Sequence, residues 1–90
     1  MAEIRPLSAE IASPTTTGTA STVSAGINIR IINTTATAHL VTLVTAQSGT
    51  VVGSFTIMSD EHVIVNKKQT EVIYAADAGV KLTSLAVPRG

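Results

Sequence analysis

Short runs of β-branched residues, each closed by a cluster of turn formers, recur along this chain, and that recurrence restricts its fold more than any other feature. Strand-length runs spaced about eight to twelve residues apart are the pattern of an all-β sandwich or barrel. Residues 48–65 show it best. Val51, Gly53, Phe55 and Ile57 alternate with Val52, Ser54 and Thr56, so the stretch has one apolar side and one mixed side. Ser59-Asp60-Glu61 interrupts it, and residues 62–65 resume as a second β-branched run. Two such runs across a short polar break predict a β-hairpin. Its apolar face needs cover from other strands.

Further runs lie on either side of this segment. A weak alternation covers residues 19–24. Residues 26–32 form a stronger run, with Ile27, Ile29 and Ile31 on one face, and Asn33-Thr34-Thr35 closes it as a turn. Residues 38–45 carry apolar side chains on both faces, as a central strand does. Gly53 marks a bulge or a close backbone approach. After the polar loop 66–70, short strands are predicted over 71–76 and 80–87, and Pro88, which has no N–H to donate, ends the last one. The predicted fold is all-β: a small antiparallel β-sandwich, immunoglobulin-like or jelly-roll-like, of six to seven strands. Its expected core is Ile27, Ile29, Ile31, Val41, Leu43, Val51, Phe55, Ile57, Val63, Val65, Ile73 and Leu82.

Residues 1–19 are read differently, as an extended N-terminal arm ahead of a sandwich domain over 20–90. Pro6 and Pro14 restrict this segment, and residues 13–18 have loop composition. Three apolar side chains, Ile4, Leu7 and Ile11, mark it as an arm that docks on another protein surface.

Composition narrows the function classes. Ninety residues make a single domain with a thin stability margin, and no cysteine is present to staple it. Phe55 and Tyr74 are the only aromatics. Six basic and six acidic residues give zero net charge, which favours association. No basic cluster is available to engage nucleic-acid phosphates or an anionic membrane. Residues 38–44, the longest apolar run, are too short to span a bilayer. The N-terminus does not read as a signal peptide, because Glu3, Arg5, Pro6 and Glu10 interrupt it, so synthesis in a cytoplasm is expected.

No residues predict catalysis. Histidine is the residue type suited to acid–base work or metal binding, but His39 and His62 lack a partner at metal-binding spacing and a positioned nucleophile. Asp60-Glu61 supplies too few ligands for calcium and reads as a solvated turn. Lys67-Lys68 reads as a solvated basic loop. Asn33-Thr34-Thr35 matches the glycosylation pattern by coincidence. No catalytic, cofactor-binding or metal site is expected, and no cofactor.

Four stretches together carry a resemblance: Ile31-Ile32-Asn33-Thr34-Thr35; Gly53-Ser54-Phe55-Thr56-Ile57; Lys67-Lys68 with Thr70-Glu71 and Ile73-Tyr74-Ala75; and Val80-Lys81 with Leu85-Ala86-Val87. Over residues 26–87 the chain resembles the small β-sandwich virion proteins of tailed bacteriophages, notably those infecting cyanobacteria. The resemblance implies a virion structural protein that decorates or cements the capsid at capsomer junctions. It would contact the major capsid protein or other virion proteins and form a homo-oligomer, with a trimer favoured. The alternatives are a tail or baseplate component, an assembly chaperone, or a receptor- or carbohydrate-binding module of a host-attachment device. Sugar-binding sandwiches commonly present aromatic platforms, which this chain scarcely has.

Overall fold

The computed structural model describes residues 5–86. They form two antiparallel sheets packed face to face. The strands are β1 (Arg5–Pro6), β2 (Ile11–Ala12), β3 (Asn28–Asn33), β4 (His39–Val44), β5 (Val51–Ile57), β6 (His62–Asn66), β7 (Val72–Ala75) and β8 (Val80–Ala86). In the larger sheet β8 lies beside β3 and β3 beside β6, while β1 and β2 both pair with the outer edge of β8. The smaller sheet runs β5-β4-β7. A single 3-10 turn, Thr17–Thr19, precedes an isolated antiparallel bridge from Ser21 to Ile73 on the free side of β7.

If β1 and β2 are counted as one interrupted strand and Ser21 as the remnant of a second, the strand order is the path of a jelly roll. One sheet then runs first, eighth, third, sixth, and the other second, seventh, fourth, fifth. Of the two sandwich types the sequence allows, this is the jelly-roll one.

Alternation decides which side chains meet between the sheets. Ile29 and Ile31 of β3, Leu82 of β8, Val41 of β4 and Ile73 of β7 are all essentially inaccessible to solvent. They join Val23, Ile57, Ala75 and Val80 in one core, with Leu43, Phe55, Val63 and Val65 packed around it half-buried. A smaller cluster of Ala20, Val44, Val72 and Tyr74 lies apart from this core.

The predicted hairpin over 48–65 does not form. β5 belongs to the smaller sheet and β6 to the larger, so the 58–61 turn is an arch that carries the chain from one layer to the other. Paired side by side, the two runs would expose their apolar faces together. Placed in opposite sheets, each covers the other's. Asn33 secures the crossing. Its N–H donates to Glu61 O at 3.0 Å and its carbonyl accepts from Asp60 N at 3.0 Å. Its side-chain amide donates to Thr37 O at 2.8 Å and Ile57 O at 3.2 Å, and its Oδ1 accepts from Thr35 N and Thr35 Oγ1. The residue expected in an exposed polar turn is wholly buried because it supplies the bonds that the end of β5 would have found in a hairpin.

Two residues expected in the core lie outside it. Ile27 is 46% exposed, one residue before β3 begins. Val51 is 58% exposed because β5 bulges: Gly53 pairs with Leu43 but Val51 pairs with Val44, so Val52 is an extra residue and the alternation breaks there. Gly53 therefore sits beside a bulge, while the space around it is open and no backbone approaches closely. The weak strand expected over 19–24 is reduced to the Ser21 bridge. It is followed by three successive residues in the left-handed region, Val23, Ser24 and Ala25, at φ 52°, 57° and 53°.

Candidate functional site

The residues singled out for chemistry do not converge. His39 begins β4 in the smaller sheet, with Nε2 3.2 Å from Thr37 Oγ1 and 3.8 Å from Asp77 Oδ2. His62 begins β6 in the larger sheet and is exposed. Among the described residues no three His, Cys, Asp or Glu side chains group closely enough to hold a metal ion. Glu61 is used locally, its Oε1 accepting from Met58 N at 2.9 Å, and Asp60 occupies the left-handed turn position at φ 60°. Tyr74 is half-buried against the outer cluster and Phe55 against the core.

Lys67 is not a solvated loop residue. It is 3% exposed, and its Nζ donates to Gly26 O at 2.7 Å and Lys68 O at 3.1 Å. Burial pushes the ammonium below its ordinary value of 10.5, with Glu71 pulling it back up. The ammonium clamps the end of the left-handed turn. Ser21 Oγ accepts from Val23 N, Thr22 Oγ1 accepts from Ala25 N, and Gly26 N donates to both Thr22 O and Val23 O. Left-handed backbone costs roughly 1–2 kcal/mol per non-glycine residue, and these bonds, with the buried Val23 side chain, hold it in place.

Beside this turn lies an open cleft of about 720 Å³, lined by Leu7, Ser24, Ile27, Asn28, Asn66 and Leu85 among others. None of its described lining residues is acidic, basic or a cysteine. It offers amides, hydroxyls and apolar surface, and no group to move a proton.

What the surface does offer is apolar contact and backbone. Leu7 (59%), Ile64 (45%), Leu40, Val52 and Met58 are large hydrophobics left in solvent. Of the arm residues chosen for docking, Leu7 and Ile11 lie exposed, and Ile4 falls outside the described residues. The arm is extended but is not separate from the sandwich. Leu7 N donates to Ser84 O at 2.7 Å, Ser13 N to Val80 O at 2.8 Å, and Ser84 N to Ser8 Oγ at 3.1 Å. Glu10 reaches Arg30 of β3 at 3.8 Å. The segments expected as arm and domain thus share one sheet, because β8 would otherwise present a bare edge of backbone donors and acceptors. Among the described residues, no helix is long and apolar enough to cross a membrane.

Comparison with protein-family models, with curated proteins and with solved structures found no match to this chain.

Proposed function

We propose that this chain is a structural assembly subunit that works through protein–protein contacts, and specifically a decoration or cement protein of a tailed-phage virion. The observation carrying this reading is the combination of a buried apolar core with large hydrophobics left outside on several elements, Leu7, Ile11, Leu40, Val52, Met58 and Ile64 among them. Each such side chain contributes about 1.5–3 kcal/mol when a neighbour buries it fully, and a lattice of sites would add multivalency. Jelly rolls also build viral capsid, lectin and cupin domains, which supports the reading by analogy of fold only. A sugar-binding role is disfavoured because the chain has only two aromatics, Tyr74 and Phe55, and both are half-buried.

In this reading the arm stays seated on β8 and presents Leu7 and Ile11 to the capsid surface. Quantitative mass spectrometry of purified particles of the encoding phage tests it. Presence in hundreds of copies is expected for capsid decoration. A small fixed number would move the protein to the tail or baseplate, and absence from the particle would sink the structural role.

A further inference from the structure

The two edges of the larger sheet are finished differently, and the open one is self-complementary. Residue pairs 27/67 and 33/61 are each joined by one backbone bond, Lys67 N to Ile27 O at 2.7 Å and Asn33 N to Glu61 O at 3.0 Å. In the β3–β6 register, Val63 and Val65 therefore turn their N–H and C=O toward β3, between Glu61 O at one end and Lys67 N at the other. His62, Ile64 and Asn66 turn theirs the other way, where no strand among the described residues pairs with them. The usual edge protections are missing from β6: it has no proline, no bulge and no Lys, Arg, Asp or Glu within its five residues. Val63 and Val65 pack against the core yet remain half-exposed at this margin.

We infer that β6 is a dimerisation edge, pairing antiparallel with β6 of a second copy about a two-fold axis at Ile64. In that register Ile64 lies opposite itself, His62 opposite Asn66, and Val63 opposite Val65, so the outward groups of His62, Ile64 and Asn66 all find partners. The charges choose the occupant. Asp60-Glu61 precedes the strand and Lys67-Lys68 follows it, symmetrically about Ile64. Antiparallel self-pairing brings each acidic pair against the copy's basic pair, and a parallel arrangement would set like against like. Lys67 is committed to the Gly26 and Lys68 carbonyls, so the exposed Lys68 is the cation free to face Asp60 of the copy. The β5 edge lacks this match: it is bulged, and it is flanked by Gly49-Thr50 and Met58-Ser59, with no pair of opposite charges at its ends. The inference departs from the trimer favoured by the family resemblance, and it holds whether or not the protein belongs to a particle.

Sedimentation equilibrium of the full chain across micromolar to millimolar concentration tests this pairing. A reversible dimer is expected, with amides of His62, Ile64 and Asn66 gaining hydrogen-exchange protection as it forms. Ile64→Pro removes an outward N–H at an edge position, where strands accept proline, and should raise the dissociation constant about tenfold or more. Lys68→Glu should raise it less, and its effect should shrink in high salt. If Ile64→Pro perturbs the fold, Ile64→Lys serves instead, since it sets two ammonium groups side by side at the axis. A chain still monomeric at millimolar concentration, or a dimer indifferent to these substitutions, overturns the proposal. So does protection of these amides only when a different protein is added.

Discussion

The larger sheet of this molecule ends in two unlike ways. On one side β8 is covered by the chain's own arm, in two short pieces joined by side-chain and backbone bonds and tied across to Arg30 by Glu10. On the other side no strand among the described residues pairs with the outer edge of β6, which carries no charged residue. A sheet edge is a row of unmet backbone donors and acceptors, so something must cover it, guard it or use it. The difference teaches that a weakly charged sandwich has few side chains with which to guard an edge. It covers one with its own residues 5–12 and leaves the other available for association.

The sharpest test of this contrast places proline at successive positions of β6. Val63→Pro removes an N–H bonded to β3 together with a core-facing side chain, and should cost about 3 kcal/mol or more, a large share of the stability of a domain this size. Ile64→Pro, one residue on, should leave the chemical-denaturation midpoint of the dilute monomer nearly unchanged. Equal losses at both positions would mean the assigned register is wrong.

Asn33→Ala attacks the arch that delivers the chain to the open edge. It leaves Ile57 O and Thr35 N without their partners, and about 3 kcal/mol should be lost, read by the same denaturation assay. Removing residues 1–12 turns the covered edge into a second open one. The loss expected is about 2–3 kcal/mol from the two bonds to Ser84 and the pairing of β1 and β2 with β8, with concentration-dependent aggregation visible by light scattering. A truncated chain as stable and soluble as the intact one would show that the arm protects nothing.

Lys67, at the foot of β6, gives a smaller effect with a definite sign. Its proton is held less tightly in the folded chain than in the unfolded one, so the unfolded state binds more protons between the lowered folded value and 10.5. Stability from this group therefore rises with pH through that window, and below it the cost of burying the charge is fully present. Lys67→Met should flatten that alkaline rise. It should also cost about 1–2 kcal/mol at neutral pH by leaving Gly26 O without its ammonium donor. Smallest of all, Ala25→Gly should stabilise the chain by up to about 1 kcal/mol, because glycine accepts φ 53° without a Cβ penalty. Thermal melting would detect a change of that size.

Much of the fold was legible in the chain. The strands β3 to β8 fall within a residue or two of the runs of alternating or β-branched residues, and Ile29, Ile31, Val41, Ile57, Ile73 and Leu82 were readable as core because a period of two sorts side chains by face. Ile27 and Val51 were misplaced where that period fails, at a strand start and at a bulge. Leu7 and Ile11 read from the sequence as anchors of an arm; in the structure both are exposed, on a segment whose backbone pairs with β8.

What the sequence determined by itself is therefore local: which stretches are extended, where they turn, and which side chains share a face. Those properties follow from backbone sterics and side-chain branching within a few residues. Only the tertiary structure decided which strands became neighbours. The 58–61 turn suits a hairpin or an arch equally well, and the choice was made by a buried amide at Asn33, more than twenty residues away in the chain. Lys67 became buried for the same kind of reason, because a carbonyl of a distant left-handed turn needed its ammonium. Hydrogen bonds and apolar cover are satisfied over the whole molecule at once, and no local period records which distant partner will satisfy them.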